Sequence, residues 1–130
     1  MSVVGVGIDI VAVERIAELI GLHGERFYRR CFRSGDLHTV GRTQESSAFP
    51  SAVSLAGRWA AKEAFLKALG TDVRGIPYRD IEVDRSSRGP VRLVLHGRAR
   101  EALAKAGGGR THLTISHERE FAVASVLIEG

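Results

Sequence analysis

The stretch Trp59-Ala60-Ala61-Lys62-Glu63-Ala64-Phe65-Leu66-Lys67 predicts the central helix of this fold and carries charges at helical spacing. Glu63 and Lys67 are four residues apart, so on a helix they share one face, one turn apart. Alone, such a pair is an ordinary helix salt bridge that contributes about 0.3 kcal/mol. Two further segments suggest a larger site, namely Gly7-Ile8-Asp9 and Thr114-Ile115-Ser116-His117.

The length of 130 residues predicts a single domain over residues 1–130, with a modest core but little material for a deep cleft. Oligomerisation would let neighbouring subunits form the remaining sides of a cleft. We find no secretory leader and no apolar run near the roughly 18 residues that span a bilayer, so we expect a cytoplasmic protein without a membrane partner. The single cysteine, Cys31, cannot form an internal disulfide and argues against a thiolate metal site.

The net charge of +4 and the pI near 9.8 favour an anionic partner, which is a nucleic acid, an acidic protein or a phosphorylated small molecule. Arginines recur at i, i+3, i+4 and i+7 in a short predicted helix whose aromatic residues turn toward the core. This stripe is either a solvated face or an acid-binding surface. Its members are Arg26, Arg29, Arg30 and Arg33.

Residues 3–11 alternate as a strand with one apolar face and one nearly bare face that holds Gly5, Gly7 and Asp9. Glycines inside a strand mark the close approach of another backbone or a ligand. Asp9 comes near the end of this strand, where it either serves a site beside the bare surface or caps the helix that follows. The local pattern leaves both roles open.

The remaining pattern predicts an α+β fold, in which a small, mainly antiparallel sheet packs against a long central helix. That helix runs from about residue 51 to 69, with Gly70 ending it. Glycines at 21–24 end the first helix, and Ser34 is the candidate N-cap of a short one. The other predictions are a loop at 41–50, strands at 81–83 and 91–95 joined by a turn at 86–90, a helix at 98–106, and strands at 113–116 and 121–128 around a turn at 117–120.

Two carboxylates brought together by the fold suit Mg²⁺, which takes oxygen ligands and completes its shell with water and substrate phosphates. Asp9 and Glu63 are the candidate ligands. A lysine one turn from a metal-bound carboxylate is placed to meet a phosphate, which is the role we predict for Lys67. His117, beside Ser116 in the predicted turn, is accessible and is either structural or part of this site.

Three motifs together resemble those of the bacterial holo-[acyl-carrier-protein] synthases, the small members of the 4'-phosphopantetheinyl transferase superfamily. They are Val6-Gly7-Ile8-Asp9, Arg58 to Gly70 (RWAAKEAFLKALG) and Leu113-Thr114-Ile115-Ser116-His117. Each motif is weak alone, but their order and spacing are specific, and the resemblance runs from residue 3 to about residue 128. It implies the 4'-phosphopantetheinyl transferase fold. It also implies Mg²⁺-dependent transfer of 4'-phosphopantetheine from coenzyme A to a serine hydroxyl of apo acyl carrier protein, releasing adenosine 3',5'-bisphosphate.

The resemblance also implies roles for individual residues and a homotrimer with active sites between subunits. Asp9, Glu63 and Lys67 become the catalytic set, with Asp9 and Glu63 holding Mg²⁺ and Lys67 on the phosphate under attack. The serine proton goes either to Glu63 or to a metal-associated water. Arg58, Lys62, Ser116 and His117 are similar to the coenzyme A contacts of the family, and Arg15, Arg26 and Arg30 to the arginines that dock the acidic carrier.

Two other classes of protein explain part of the sequence. A basic nucleic-acid-binding module would account for the arginines, but it leaves Asp9, Glu63 and Lys67 without a role. A catalytically silent scaffold with structural ion pairs would account for the charged helix. The enzyme reading predicts a protein with no nucleic-acid partner, and it leaves open which carrier is served and what the segments 41–54 and 71–79 contact.

Overall fold

The computed structural model describes residues 2–37, 50–70, 74–85 and 89–130. The predicted loop at 41–50 falls almost entirely outside these residues, as does part of the predicted turn at 86–90. The elements are β1 (Val3–Ala12), α1 (Val13–His23), α2 (Glu25–Cys31), α3 (Ser34–Leu37), α4 (Ala52–Leu69), a 3-10 turn (Tyr78–Asp80), β2 (Ile81–Asp84), β3 (Arg92–Leu95), α5 (Gly97–Lys105), β4 (Arg110–Glu118) and β5 (Phe121–Glu129).

The helix α4 is the centre of the molecule. The Ser51 side chain caps its first turn by accepting a hydrogen bond from the Ser54 backbone N–H at 3.3 Å. Gly70, with a φ of 111°, ends the helix as predicted. Between these ends α4 is buried on nearly every side, which is the behaviour of a helix that forms a core.

The main sheet packs one face against α4. In the described residues its order is β1-β5-β4, with both pairings antiparallel. A Cβ on Gly5 would lie 1.9 Å from the Ala68 carbonyl oxygen, and one on Gly7 would lie 2.0 Å from that of Ala64. The strand therefore lies directly on the helix backbone, which confirms the predicted close approach of another backbone.

The opposite face of β1 is apolar and uncovered. Val6, Ile8 and Ile10 are 60%, 62% and 65% exposed, and Phe121 on β5 is half exposed. A run of large apolar side chains on one sheet face is the usual sign of an interaction surface. The apolar alternation of β1 thus describes its outer face, while Gly5 and Gly7 lie on its inner face.

The predicted second hairpin is confirmed by the antiparallel pairing of β2 with β3. Ile81 and Val83 are fully buried against the core. Asp80 accepts a hydrogen bond from the Arg98 backbone N–H at 3.0 Å and so satisfies a donor in the first turn of α5. Together with the main sheet, this arrangement confirms the predicted α+β class.

The ends of several elements differ from the predictions. Asp9 lies within β1, opposite Ala124, and the N-cap of α1 is Ala12, so Asp9 is not a cap. The helix α1 continues through Gly21 to His23 and ends at Gly24, which has a φ of 54°. Ser34 is the first residue of α3 and not its cap.

Two further predictions about local structure are wrong. The helix α2 ends at Cys31, so Arg33 leaves the arginine stripe and donates instead to the Arg79 carbonyl oxygen at 2.6 Å. The strand β4 continues through Ser116 and His117 to Glu118, and the turn lies at Arg119 and Glu120. Ser116 and His117 are therefore strand residues. The described residues contain no helix that is both long enough and apolar enough to cross a membrane.

Candidate active site

The seam between β1 and α4 brings together Asp9, Glu63 and Lys67. Asp9 shares the inner face of β1 with Gly5 and Gly7, and it therefore faces α4. Lys67 donates to Asp9 Oδ1 at 2.8 Å and to the Ile8 carbonyl oxygen at 3.1 Å. Among the ion pairs of the described residues none joins Glu63 to Lys67, so the ordinary helix salt bridge is absent there.

Glu63 is held by a residue that the sequence analysis did not single out. The Tyr78 hydroxyl donates to Glu63 Oε1 at 2.6 Å. The Tyr78 ring stacks on Trp59, with centroids 4.6 Å apart and planes at 19°. Burial, and then the bond to Glu63, raise the pKa of Tyr78 far above its ordinary value, so the hydroxyl keeps its proton.

Lys62, which precedes Glu63, points into the interior. Its side chain is 0% exposed, and its ammonium donates to Asp36, to the Tyr78 carbonyl oxygen at 3.0 Å and to that of Ile81 at 2.5 Å. Its Nζ also lies 5.1 Å from the centroid of the Phe32 ring. The structure thus places the ammonium in the core, and the coenzyme A contact that the resemblance implies for Lys62 stays a prediction.

Arg58 is placed in the same way. It is 2% exposed, and burial together with the nearby charge of Arg85 lowers its pKa to about 10, against a smaller opposing effect of Asp36. The Arg58 side chain is therefore buried in this structure, and its coenzyme A contact also stays a prediction.

Ser116 and His117 are exposed but project to opposite faces of the sheet, because neighbouring strand residues alternate. Ser116 pairs with Val123 and lies on the outer face of the sheet. His117 pairs with Ala122 and lies on the inner face, which also holds Asp9. Strand spacing separates His117 from Asp9 by roughly 12 Å. The pair instead borders an open concavity of about 480 Å³ at the end of the sheet, formed with Ile10 and residues 118–123.

The arginines predicted to dock a carrier are all exposed. Arg26 and Arg30 lie one turn apart on α2, and Arg15 lies on α1. The positive charge of Arg15 lowers the pKa of Tyr78, against the larger effects of burial and of Glu63 that raise it. The three arginines thus form an exposed basic surface on α1 and α2.

The described residues contain no cluster of three or more His, Cys, Asp or Glu side chains that would enclose a metal ion. The seam offers two carboxylates, those of Asp9 and Glu63. This donor set fits Mg²⁺, which is held by one or two carboxylates and takes its other ligands from water and substrate phosphates.

A family model and individual relatives place the chain in the same protein family. Residues 5–124 match the model of the 4'-phosphopantetheinyl transferase superfamily. A holo-[acyl-carrier-protein] synthase of Koribacter versatilis is 43% identical over 129 residues, covering 98% of each chain. The synthase of Nitratidesulfovibrio vulgaris is 44% identical over 129 residues, covering 98% of this chain and 99% of its own.

Solved structures agree with these relatives. The synthase of Neisseria meningitidis superposes with a TM-score of 0.81 at 32% identity, covering 99% of this chain and 100% of its own. The Bacillus anthracis synthase, crystallised with coenzyme A (3',5'-ADP), has a TM-score of 0.69 at 33% identity over 97% of this chain and 96% of its own. The chain belongs to the holo-[acyl-carrier-protein] synthase family of that superfamily.

Proposed function

We propose that this protein transfers the 4'-phosphopantetheine group of coenzyme A to a serine hydroxyl of an apo acyl carrier protein. The observation that carries the proposal is the seam between β1 and α4, where Lys67 donates to Asp9 and Glu63 precedes Lys67 by one helical turn. Relatives named holo-[acyl-carrier-protein] synthases, similar over nearly the whole chain, support it. They favour an enzyme over the nucleic-acid-binding alternative.

In the proposed reaction the serine oxygen attacks the phosphorus that carries pantetheine. A new P–O bond forms, the bond from that phosphorus to the bridging oxygen breaks, and adenosine 3',5'-bisphosphate leaves with the electron pair. The serine proton passes to a base. Positioning and charge stabilisation supply most of the rate in such transfers, and a bound Mg²⁺ would supply positive charge at the pyrophosphate.

The residues of this chain have separate tasks in that scheme. Asp9 and Glu63 would hold the cation. The side chain of Lys67 is 54% exposed, so it is free to exchange Asp9 for a substrate phosphate. Since one oxygen of Glu63 accepts a hydrogen bond from Tyr78 and the other would bind the cation, we assign the serine proton to a metal-associated water.

Two surfaces complete the proposal. The exposed Arg15, Arg26 and Arg30 would dock the acidic carrier, where complementary charge speeds encounter and fixes register. The uncovered apolar face of β1 would pack against neighbouring copies in a homotrimer, so that the concavity beside Ser116 and His117 faces another subunit. Coenzyme A contacts from Ser116 and His117 would form there.

The test is a carrier-modification assay. Apo acyl carrier protein, coenzyme A, Mg²⁺ and the enzyme are incubated, and the mass of the carrier is followed. We expect a gain equal to phosphopantetheine that EDTA abolishes. Glu63→Gln should lower the rate at least about 100-fold at ordinary Mg²⁺, whereas Glu101→Gln, on the exposed face of α5, should not. A carrier of unchanged mass, or full activity of Glu63→Gln, would contradict the proposal.

A further inference from the structure

Tyr78 lies outside the three motifs, yet its hydroxyl touches the proposed metal site. The bond from Tyr78 to Glu63 Oε1 measures 2.6 Å, the length expected for a hydroxyl that donates to an ionised carboxylate. Such charge-assisted bonds are roughly twice as strong as neutral ones. The contact is therefore strong enough to fix the orientation of the carboxyl group.

The ring of Tyr78 is fixed by the same helix that carries Glu63. Trp59 precedes Glu63 by four residues, so the indole and the carboxylate lie on one face of α4. The phenol ring stacks on the indole while its hydroxyl reaches the carboxylate. Tyr78 thus spans one turn of α4 and is held at both ends.

The backbone of Tyr78 is held by Lys62. The Lys62 ammonium bonds the carbonyl oxygens of Tyr78 and Ile81, which bracket the 3-10 turn, and Asp36 neutralises its charge. Neighbouring residues of α4 therefore hold opposite parts of Tyr78, since Lys62 binds its backbone and Glu63 its hydroxyl.

We propose that Tyr78 is a positioning residue for Glu63, whose hydroxyl holds one carboxylate oxygen and leaves the other as the ligand for the divalent cation. The inference rests on the proposed function, in which Glu63 binds Mg²⁺. Hydrogen bonds to ligating carboxylates orient them, and loss of such a partner commonly weakens metal binding by 10–100-fold. Lys62 supports this arrangement by holding the backbone of the turn that carries Tyr78.

The test is Tyr78→Phe, which keeps the ring on Trp59 and removes only the hydroxyl. Mn²⁺ alone is the probe, and its free concentration is followed by electron paramagnetic resonance during titration. We expect the Mn²⁺ dissociation constant to rise about 10-fold, with the midpoint of urea unfolding little changed. Transfer activity should fall at low Mg²⁺ and recover when Mg²⁺ is raised, while the KM for coenzyme A at saturating Mg²⁺ stays the same.

Tyr28→Phe is the matched control, because Tyr28 lies in the same aromatic cluster through Phe27 and Trp59. It should leave Mn²⁺ binding unchanged. If Tyr78→Phe binds Mn²⁺ like the wild type while Glu63→Gln does not, the positioning role is wrong and the proposed function stands. If Glu63→Gln also binds normally, the metal site itself is misassigned. Equal weakening by Tyr28→Phe and Tyr78→Phe would mean general loosening and would overturn the inference.

Discussion

A lysine without access to solvent needs acceptors for its charge inside the protein, and Lys62 has them in Asp36, Tyr78 and Ile81. Burial raises the pKa of Asp36 and lowers that of Lys62, while their ion pair opposes both shifts. Backbone N–H groups of Arg33 and Val83 also donate to Asp36. The pair therefore joins α3, α4 and β2 at one buried point.

At this scale we predict that Lys62→Met lowers the free energy of unfolding by about 3–5 kcal/mol, because it leaves the Asp36 carboxylate buried without its cation. Urea unfolding followed by circular dichroism measures the change. Lys105→Met, at an exposed position of α5, is the control and should shift the midpoint little. Wild-type stability of Lys62→Met, with a raised KM for coenzyme A, would contradict the structural role of Lys62 and support the predicted substrate contact.

The sequence predicted the meeting of Asp9 with the central helix, because glycines at 5 and 7 announced a close backbone approach. It did not reveal the roles of Lys62 and Tyr78. Asp36 is 26 residues from Lys62 and Tyr78 is 15 residues from Glu63, so both contacts come from tertiary packing that local spacing does not encode. One signal was available, since Lys62 shares its helix face with Trp59, Phe65 and Leu66.

Among the elements, the packing of β1 against α4 determines the geometry of the candidate active site. Every second residue of β1 from Gly5 onward faces the helix, and the two glycines allow the strand to lie on the carbonyl oxygens of Ala64 and Ala68. This contact fixes the distance of Asp9 from Lys67. Any side chain at Gly7 must push the strand away from the helix.

We therefore predict that Gly7→Ala destabilises the protein by about 3 kcal/mol and reduces transfer activity in the fraction that remains folded. The added methyl group would clash with backbone atoms of α4, which cannot move aside as a flexible side chain can. Gly21→Ala is the matched control, since nothing lies within 4 Å of a Cβ there, and it should raise stability by about 0.5–1 kcal/mol. If the urea midpoints of Gly7→Ala and Gly21→Ala shifted in the same direction and by the same amount, the close approach at Gly7 would not be the cause.

Element type could be predicted from periodicity, while element ends could not. The strands of the last hairpin continue through Ser116 and His117 because β4 and β5 pair along their whole length. Strand pairing depends on a partner elsewhere in the chain. The charged residues at 117–120 looked like a turn, but only Arg119 and Glu120 form it, and Arg119 adopts a φ of 52°.

At the scale of the whole molecule, the outer face of the sheet and the arginines of α1 and α2 make separate predictions. Ile8→Lys places a charge at the centre of the apolar face, where burial in a trimer would be costly. Light scattering should show a lower mass than for the wild type, with reduced activity. Leu22→Lys, which changes an even more exposed apolar residue on α1, should keep the mass. Equal masses for wild type and Ile8→Lys would contradict the trimer face.

Charge reversal tests the docking surface. Arg15→Glu with Arg26→Glu should raise the KM for the acidic carrier at least about 10-fold, because like charges then meet, and leave the KM for coenzyme A nearly unchanged. The control reverses Arg100 and Arg110, which are exposed on other elements. An equal rise in both KM values would indicate a damaged fold or a different docking face.

The central position of β5 also bears on how the chain acquires its structure during synthesis. Both β1 and β4 pair with β5, which follows them in the chain. While the ribosome is still making β5, β1 has no strand partner in this sheet and its apolar residues remain available to other nascent chains. We therefore expect the main sheet to form late, in one step after β5 emerges, and not strand by strand as synthesis proceeds.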